Sequence, residues 1–307
     1  MHPLKGIALK ICSVITFITM ASLIKATAQY VPAGQAVFFR SVFALPVILA
    51  WLAVRGDLRT GLKAASPMGH FWRGFVGTAA MGLGFAGLGL LPLPEVTAIG
   101  YAAPLMTVIL AAMFLGEQVR LFRLGAVALG MVGVLIVLGP RLSAFSGDTV
   151  EKTAALGAML VLTGALCAAL AQIYIRKLVQ SEQTSAIVFY FSVTSASLSL
   201  LTLPFGWVLP TGQEAAFLIL AGLLGGMGQI FLTSAYRFAP ASVVAPFDYA
   251  SMLFAILIGM FFFNEIPDLR TIGGAALVIL AGVIIIWREH QLGLERGRAR
   301  RGMTPQG

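Results

Sequence analysis

Residues 92–117 read PLPEVTAIGYAAPLMTVILAAMFLGE, and residues 240–265 read PASVVAPFDYASMLFAILIGMFFFNE. At a shift of 148 residues, seven of the 26 positions are identical: Pro92/Pro240, Val96/Val244, Tyr101/Tyr249, Ala102/Ala250, Leu105/Leu253, Phe114/Phe262 and Glu117/Glu265. Apolar composition produces chance matches among Val, Ala and Leu; Pro, Tyr and Glu do not coincide for that reason. Downstream, Gly125…Gly133-Val134 pairs with Gly274…Gly282-Val283. Upstream, a shift of 151 aligns Ile24/Ile175, Gln29/Gln180, Val37/Val188, Phe38/Phe189, Ser41/Ser192 and Val42/Val193. The chain is therefore two copies of one unit.

Each copy is too apolar for water. Hydrophobic residues make up 59% of the 307 and charged residues 11%, against about 45–50% and about 25% in soluble domains. A bilayer core about 30 Å thick takes about 20 apolar residues per helix. Ten segments meet that need: 6–24, 33–54, 71–91, 94–115, 122–139, 154–174, 184–207, 215–235, 240–262 and 271–287. The first has Lys5 ahead of an apolar run, as a signal peptide does. Lys10 lies inside that run, with no small-residue cleavage site before Lys25, so it is expected to be a span.

Five spans per copy is an odd number, so the second copy enters the membrane from the opposite face. That is the inverted repeat of secondary transporters. The expected organisation is repeat 1 at 6–139, a linker at 140–153, repeat 2 at 154–288 and a basic tail at 289–307. Lys and Arg orient the bundle. With the N-terminus on side A, sixteen of the 21 cationic residues fall on that side. Lys25, Arg141, Lys152 and Arg270 fall on side B, and Arg40 lies inside a span. Side A is then the cytoplasm and holds both termini, as expected for a multi-pass inner-membrane protein.

This distribution also accounts for the net charge of +9. The cations sit at loop ends without aromatic interleaving, so nucleic acid is not an expected partner; the lipid bilayer is. Cys12 and Cys167 both lie in apolar runs, where a thiol packs as a small hydrophobe. His2, His70 and His290 form no metal-ligand spacing, and no phosphate-binding Gly-Lys-Ser/Thr loop occurs. No cofactor, metal site or enzyme activity is expected. A membrane enzyme would need clustered acids or a His/Cys site, whereas a channel or scaffold is the remaining rival class.

The stretches from Phe85 through Pro92-Leu93-Pro94-Glu95 to Glu117, and from Ala235 through Pro240 to Glu265, resemble the EamA-type branch of the drug/metabolite transporter superfamily. The resemblance implies an all-α fold of ten transmembrane helices, cytoplasmic termini and a central cavity for a small organic solute. Within that branch, Phe247–Ser251 and the opening Lys5-Gly6…Lys10 resemble riboflavin importers, which makes riboflavin uptake the leading expectation. An amino-acid, S-adenosylmethionine or other metabolite carrier or exporter is the alternative.

Ionisable groups at membrane depth mark function. Arg40 lies about 10 Å into the second span and Asp248 about 12 Å into the ninth from the other face, at 1.5 Å per residue. The gap of about 8 Å in a 30 Å core is one that a long arginine nearly closes. Both are candidate solute-binding residues; the plainer alternative is a structural ion pair, or snorkelling of Arg40. Tyr101 and Tyr249, with Phe38, Phe39, Trp72, Phe247, Gln229 and Tyr236, are candidates for an aromatic, amide-bearing cavity, although interhelical packing with interfacial anchors explains them too. Glu117 and Glu265 are candidate gates, with Arg120 or Arg123 and with Arg270 respectively, or structural residues whose turn chemistry holds the next helix. Pro104 and Pro246 are candidate sites of a freed backbone carbonyl. Gly222-x3-Gly226 is a small-x3-small match, expected to bring two helices close.

Overall fold

Prolines set where the helices begin. In a computed structural model, α1 covers Pro3–Thr27 and α2 Ala33–Val54, after Pro32. α3 covers Pro67–Leu90, with Pro67 in its first turn, where the missing N–H costs nothing. α4 (Leu93–Gly100) follows Pro92 and meets α5 (Ala102–Leu115) at Tyr101. α6 is Leu121–Ser143, α7 Thr149–Leu178, α8 Thr184–Ser199 and α9 Gly212–Phe238. α8 tightens into a 3₁₀ turn at Leu200–Phe205, and a 3₁₀ turn at Ala245–Tyr249 leads into α10 (Ala250–Phe263). α11 is Leu269–Gly302. The structure describes residues 3–58, 60–115, 121–143, 149–178, 181–238 and 245–302.

Among these the fold is all helical, and ten helices result when α4 and α5 count as one broken span. Seven are long and apolar enough to cross a membrane, and two shorter apolar helices cover Phe247–Phe263 and Leu269–Ile285. The tenth, α3, is long enough at 24 residues. It carries His70, Arg73 and six glycines between Gly74 and Gly89, which dilute its apolarity. At the expected linker of 140–153, α6 runs to Ser143 and α7 begins at Thr149. The basic tail continues α11 as helix through Gly302.

The two halves interleave. α1 and α2 of the first half pack along α9 of the second, while α7 and α8 of the second pack along α3 of the first. α2 lies against α8, and α6 against α11. Both large cores mix the halves. One joins Leu105, Val134 and Leu138 to Ala158, Met252 and Val278. The other joins Ile24, Val37 and Leu93 to Leu218, Ala221 and Ala255.

Small residues permit this, since close backbone approach drives helix association in lipid. A Cβ on Gly222 would meet Phe39 O at 2.9 Å, and one on Gly226 would meet Ala44 O at 3.0 Å. The expected small-x3-small contact is thus the α9–α2 crossing. At the α6–α11 crossing, a Cβ on Gly133 would lie 2.6 Å from Gly274 O, and one on Gly274 2.6 Å from Gly133 O. Large apolar side chains such as Phe261, Phe262 and Leu135 are exposed on the outer surface, where lipid rather than water suits them.

Candidate functional site

Arg40 and Arg73 come together at the centre of the interleaved halves. Arg40 sits seven residues into α2 and Arg73 six residues into α3. Both turn onto one ring of α8: the Arg73 Cζ lies 3.6 Å and the Arg40 Cζ 5.4 Å from the Phe191 centroid. They are 6% and 2% exposed. Glycines make the room, since a Cβ at Gly77 would meet Arg73 Nη1, and one at Gly225 would meet Arg40 Nε, each at 2.9 Å. Nε and Nη1 of both arginines are buried without a hydrogen-bond partner, as is Ser41 Oγ. Nearby polar side chains satisfy each other instead: Thr78 and Ser195 hydroxyls lie 2.7 Å apart, and Ser192 donates to Val188 O.

Arg73 was not singled out in the sequence, where it counts among the side A cations. The available signal was depth. Six residues past Pro67 place it about 9 Å into the helix, beyond snorkelling loops. Lys10, another of the side A cations, is likewise buried, at 2% exposure. Without these two, fourteen cations remain on side A against four on side B, so the charge bias keeps its sign.

Asp248 does not meet Arg40. Its Oδ1 lies 2.7 Å from Lys10 Nζ of α1. From there contacts continue to Tyr101. Ser251 donates to Asp248 O at 2.7 Å, which leaves its Oγ to accept from Tyr101 Oη, 2.7 Å away. Tyr101 and Tyr249 cross edge to face at 5.3 Å. Gly282 holds the space that the Tyr249 ring occupies. The repeat-related tyrosines thus bind the broken α4–α5 span to the start of α10.

Side B is tied between the halves by Glu265. Asn264 adopts φ +53° at the end of α10, a left-handed turn that Asn tolerates. The Glu265 amide then donates to Gly259 O at 2.8 Å. The Glu265 carboxylate faces the first half: Oε1 lies 2.8 Å from Lys25 Nζ, and Oε2 accepts from Leu93 N at 2.8 Å. Lys25 donates further to Leu88 O and Leu91 O. The partner of Glu265 is therefore Lys25 rather than Arg270. Beside it, Arg141 grips Glu95 through two hydrogen bonds of 2.6 and 3.0 Å. Asp268 accepts from the Thr271 amide at 2.7 Å. That bond, with Arg141 and Arg270 nearby, holds its carboxyl below the usual range.

Side A is tied by Glu182. Its buried Oε1 accepts from Ala65 N at 2.7 Å and Ser66 N at 2.6 Å, just ahead of α3. His70 Nε2 lies 3.4 Å away. A carboxylate at the positive end of a helix is favourable, and here it comes from the other half of the chain. Glu182→Ala strands two amides, costing about 1–3 kcal/mol. The expected result is a lower melting temperature in detergent and faster tryptic cleavage at Arg55 and Lys63, with Glu182→Gln retaining part of the wild-type protection. Equal cleavage rates in all three proteins would show that this tie contributes nothing.

Among the described side chains, the aromatic candidates fall into separate groups. Phe38 packs with Phe39 and Trp207, and Trp72 stands on the exposed outer face with Phe71 and Phe75. Gln229 lines a small cleft with Ile48, Trp51, Thr184, Val188 and Ile230. Pro104 is exposed in the first turn of α5, and Pro246 lies in the 3₁₀ turn ahead of α10. Glu117 lies outside the described residues, as do the side chains of Tyr236 and Pro246. No group of three or more His, Cys, Asp or Glu able to hold a metal occurs among the described residues.

Comparison with known proteins places these contacts in context. The model of the EamA-like transporter family matches residues 4–139 and 155–288. An S-adenosylmethionine uptake transporter of Rickettsia prowazekii is 28% identical over 257 residues, covering 84% of either chain. A pseudopaline exporter of Pseudomonas aeruginosa is 29% identical over 284 residues, covering 91% of this chain and 95% of its own. A solved crystal structure superposes with a TM-score of 0.67 at 20% identity, covering 94% of this chain and 98% of the other. Neither named relative carries the riboflavin expectation.

Proposed function

Because the chain belongs to the EamA-like transporter family, we propose that it is a secondary carrier of a small organic metabolite, with S-adenosylmethionine the first solute to test. It is a multi-pass membrane transporter of the inner membrane. Its relatives are named for uptake of one metabolite and export of another. They favour a metabolite carrier of that kind over a riboflavin importer.

One observation carries the mechanism. Two family units are interleaved, and each face is tied across them by a carboxylate of the second half, Glu265 on side B and Glu182 on side A. Two copies of one fold in antiparallel sense exchange conformations at nearly equal energy, which turns a pocket from one face to the other. In this reading side A is cytoplasmic, both termini lie there, and the units are 6–139 and 154–288. Arg40, Arg73 and the Lys10–Asp248–Tyr101 chain line the route between the units. Release of the Lys25–Glu265 pair opens side B.

The test is counterflow into proteoliposomes holding the purified full chain. Liposomes preloaded with unlabelled S-adenosylmethionine should take up the labelled solute saturably and transiently, and riboflavin should not compete. A linear, non-saturable flux would mean a channel. Absence of flux with the protein correctly inserted would remove S-adenosylmethionine as the solute.

A further inference from the structure

We propose that Arg40 and Arg73 together form a receptor for a carboxylate on the transported solute; the assignment rests on the carrier reading above. Among the described residues, no carboxylate lies within 4 Å of either guanidinium, whereas Lys10, Lys25 and Arg141 each have one. Two like charges share one ring at the junction of α2, α3 and α8. Four of their nitrogens are sealed from solvent with no acceptor. Such burial is costly for each ion, and the ring face offsets only part of that cost. A fold that only needed packing there would place an apolar side chain. Gly77 and Gly225 instead hold space for the guanidiniums, so the arrangement keeps two cations where an anion must come to them.

The chemistry selects the anion. Guanidinium is planar and matches the two oxygens of a carboxylate or the oxygens of a phosphate. The surroundings favour the smaller, flatter group: both guanidiniums lie over the Phe191 ring, and Ser41 beside Arg40 and Ser192 and Ser195 on the helix of Phe191 are themselves buried. S-adenosylmethionine carries one such carboxylate, and its decarboxylated form differs by that group alone. Side B reaches this depth when Lys25 and Glu265 part, and side A when Glu182 leaves the start of α3.

Thermal stabilisation of the purified chain in detergent tests binding apart from transport. The probes are S-adenosylmethionine, several amino acids, the decarboxylated partner of each, and a set of phosphate esters. At least one carboxylate should stabilise the protein, with an affinity at least about 100-fold above that of its decarboxylated partner, within the penalty for leaving a buried charge without its partner. Arg40→Met and Arg73→Met should fold and melt higher without ligand, since each removes a buried unpaired charge. Both should lose the carboxylate response. Arg40→Lys and Arg73→Lys should keep it only weakly.

Equal response to decarboxylated partners, preference for phosphate esters, or no response to any probe would each overturn the assignment. So would methionine variants that melt lower while keeping the carboxylate preference, because the arginines would then be structural. Carboxylate binding without counterflow of any probe that binds would leave a carboxylate site standing and count against the carrier reading alone. Counterflow indifferent to the carboxylate would do the reverse.

Discussion

Lys25→Ala should expose side B. In a protein with Cys12→Ala, Cys167→Ala and a single reporter at Leu91→Cys, labelling by a membrane-impermeant maleimide should rise at least about tenfold over the same protein with Lys25 intact. Lys25 and Glu265 are mostly buried, and Lys25 also closes on two carbonyls of the α3 end. Removing the lysine strands the carboxylate with only the Leu93 amide. Truncating one partner of a buried charge pair costs about 2–5 kcal/mol. Each 1.4 kcal/mol is a tenfold change in an equilibrium, so a state sealed by this pair loses most of its advantage. Leu91 is 2% exposed, which makes it a sensitive reporter. The reversed pair, Lys25→Glu with Glu265→Lys, should recover part of the protection. Labelling unchanged by Lys25→Ala would mean that packing alone closes side B.

Gly133→Leu should be the most damaging single substitution for stability. α6 and α11 meet backbone to backbone, and a Cβ at Gly133 falls on the Gly274 carbonyl. A flexible side chain could move aside; a helix carbonyl in the membrane cannot give up its hydrogen bond without cost. Overpacking costs about 1–3 kcal/mol where side chains can adjust, and this crossing sits at or above that range. Gly139→Leu is the matched control, because nothing lies within 4 Å of a Cβ there. The measurement is the fraction of monodisperse protein left after heating in detergent. Parallel losses in the two variants would show that the crossing is not a fixed contact.

The legible parts of this protein share a physical basis. Spans appear in the sequence because lipid demands about 20 apolar residues from each segment separately. Breaks appear because proline acts on its own helix, as at Pro32, Pro67 and Pro92. The repeat of Pro92–Glu117 in Pro240–Glu265 is a comparison of the chain with itself. Even α3, diluted by glycine, could be found by its length. Arg40 was legible as a buried charge and Asp248 as a charge at membrane depth, since depth follows from counting residues.

Their partners were not. The depth estimate aimed Arg40 at Asp248, because it knew the axial coordinate and not the face of the helix. Lys10 reaches Asp248 because α1 lies beside the start of α10, and Arg73 reaches Phe191 because α3 packs into the other half. Glu265 turns to Lys25 because Asn264 takes a left-handed conformation, which residue spacing alone does not reveal.

Segment by segment, then, the amino-acid sequence determined membrane class, number of helices, repeat and charge bias, because each depends on a local stretch meeting lipid or water. Which charges pair, and that the buried Arg40 and Arg73 lie away from every carboxylate among the described residues, the tertiary structure alone decided. Pairing needs two helices to present matching faces at one depth, and that depends on glycine contacts between segments far apart in the chain.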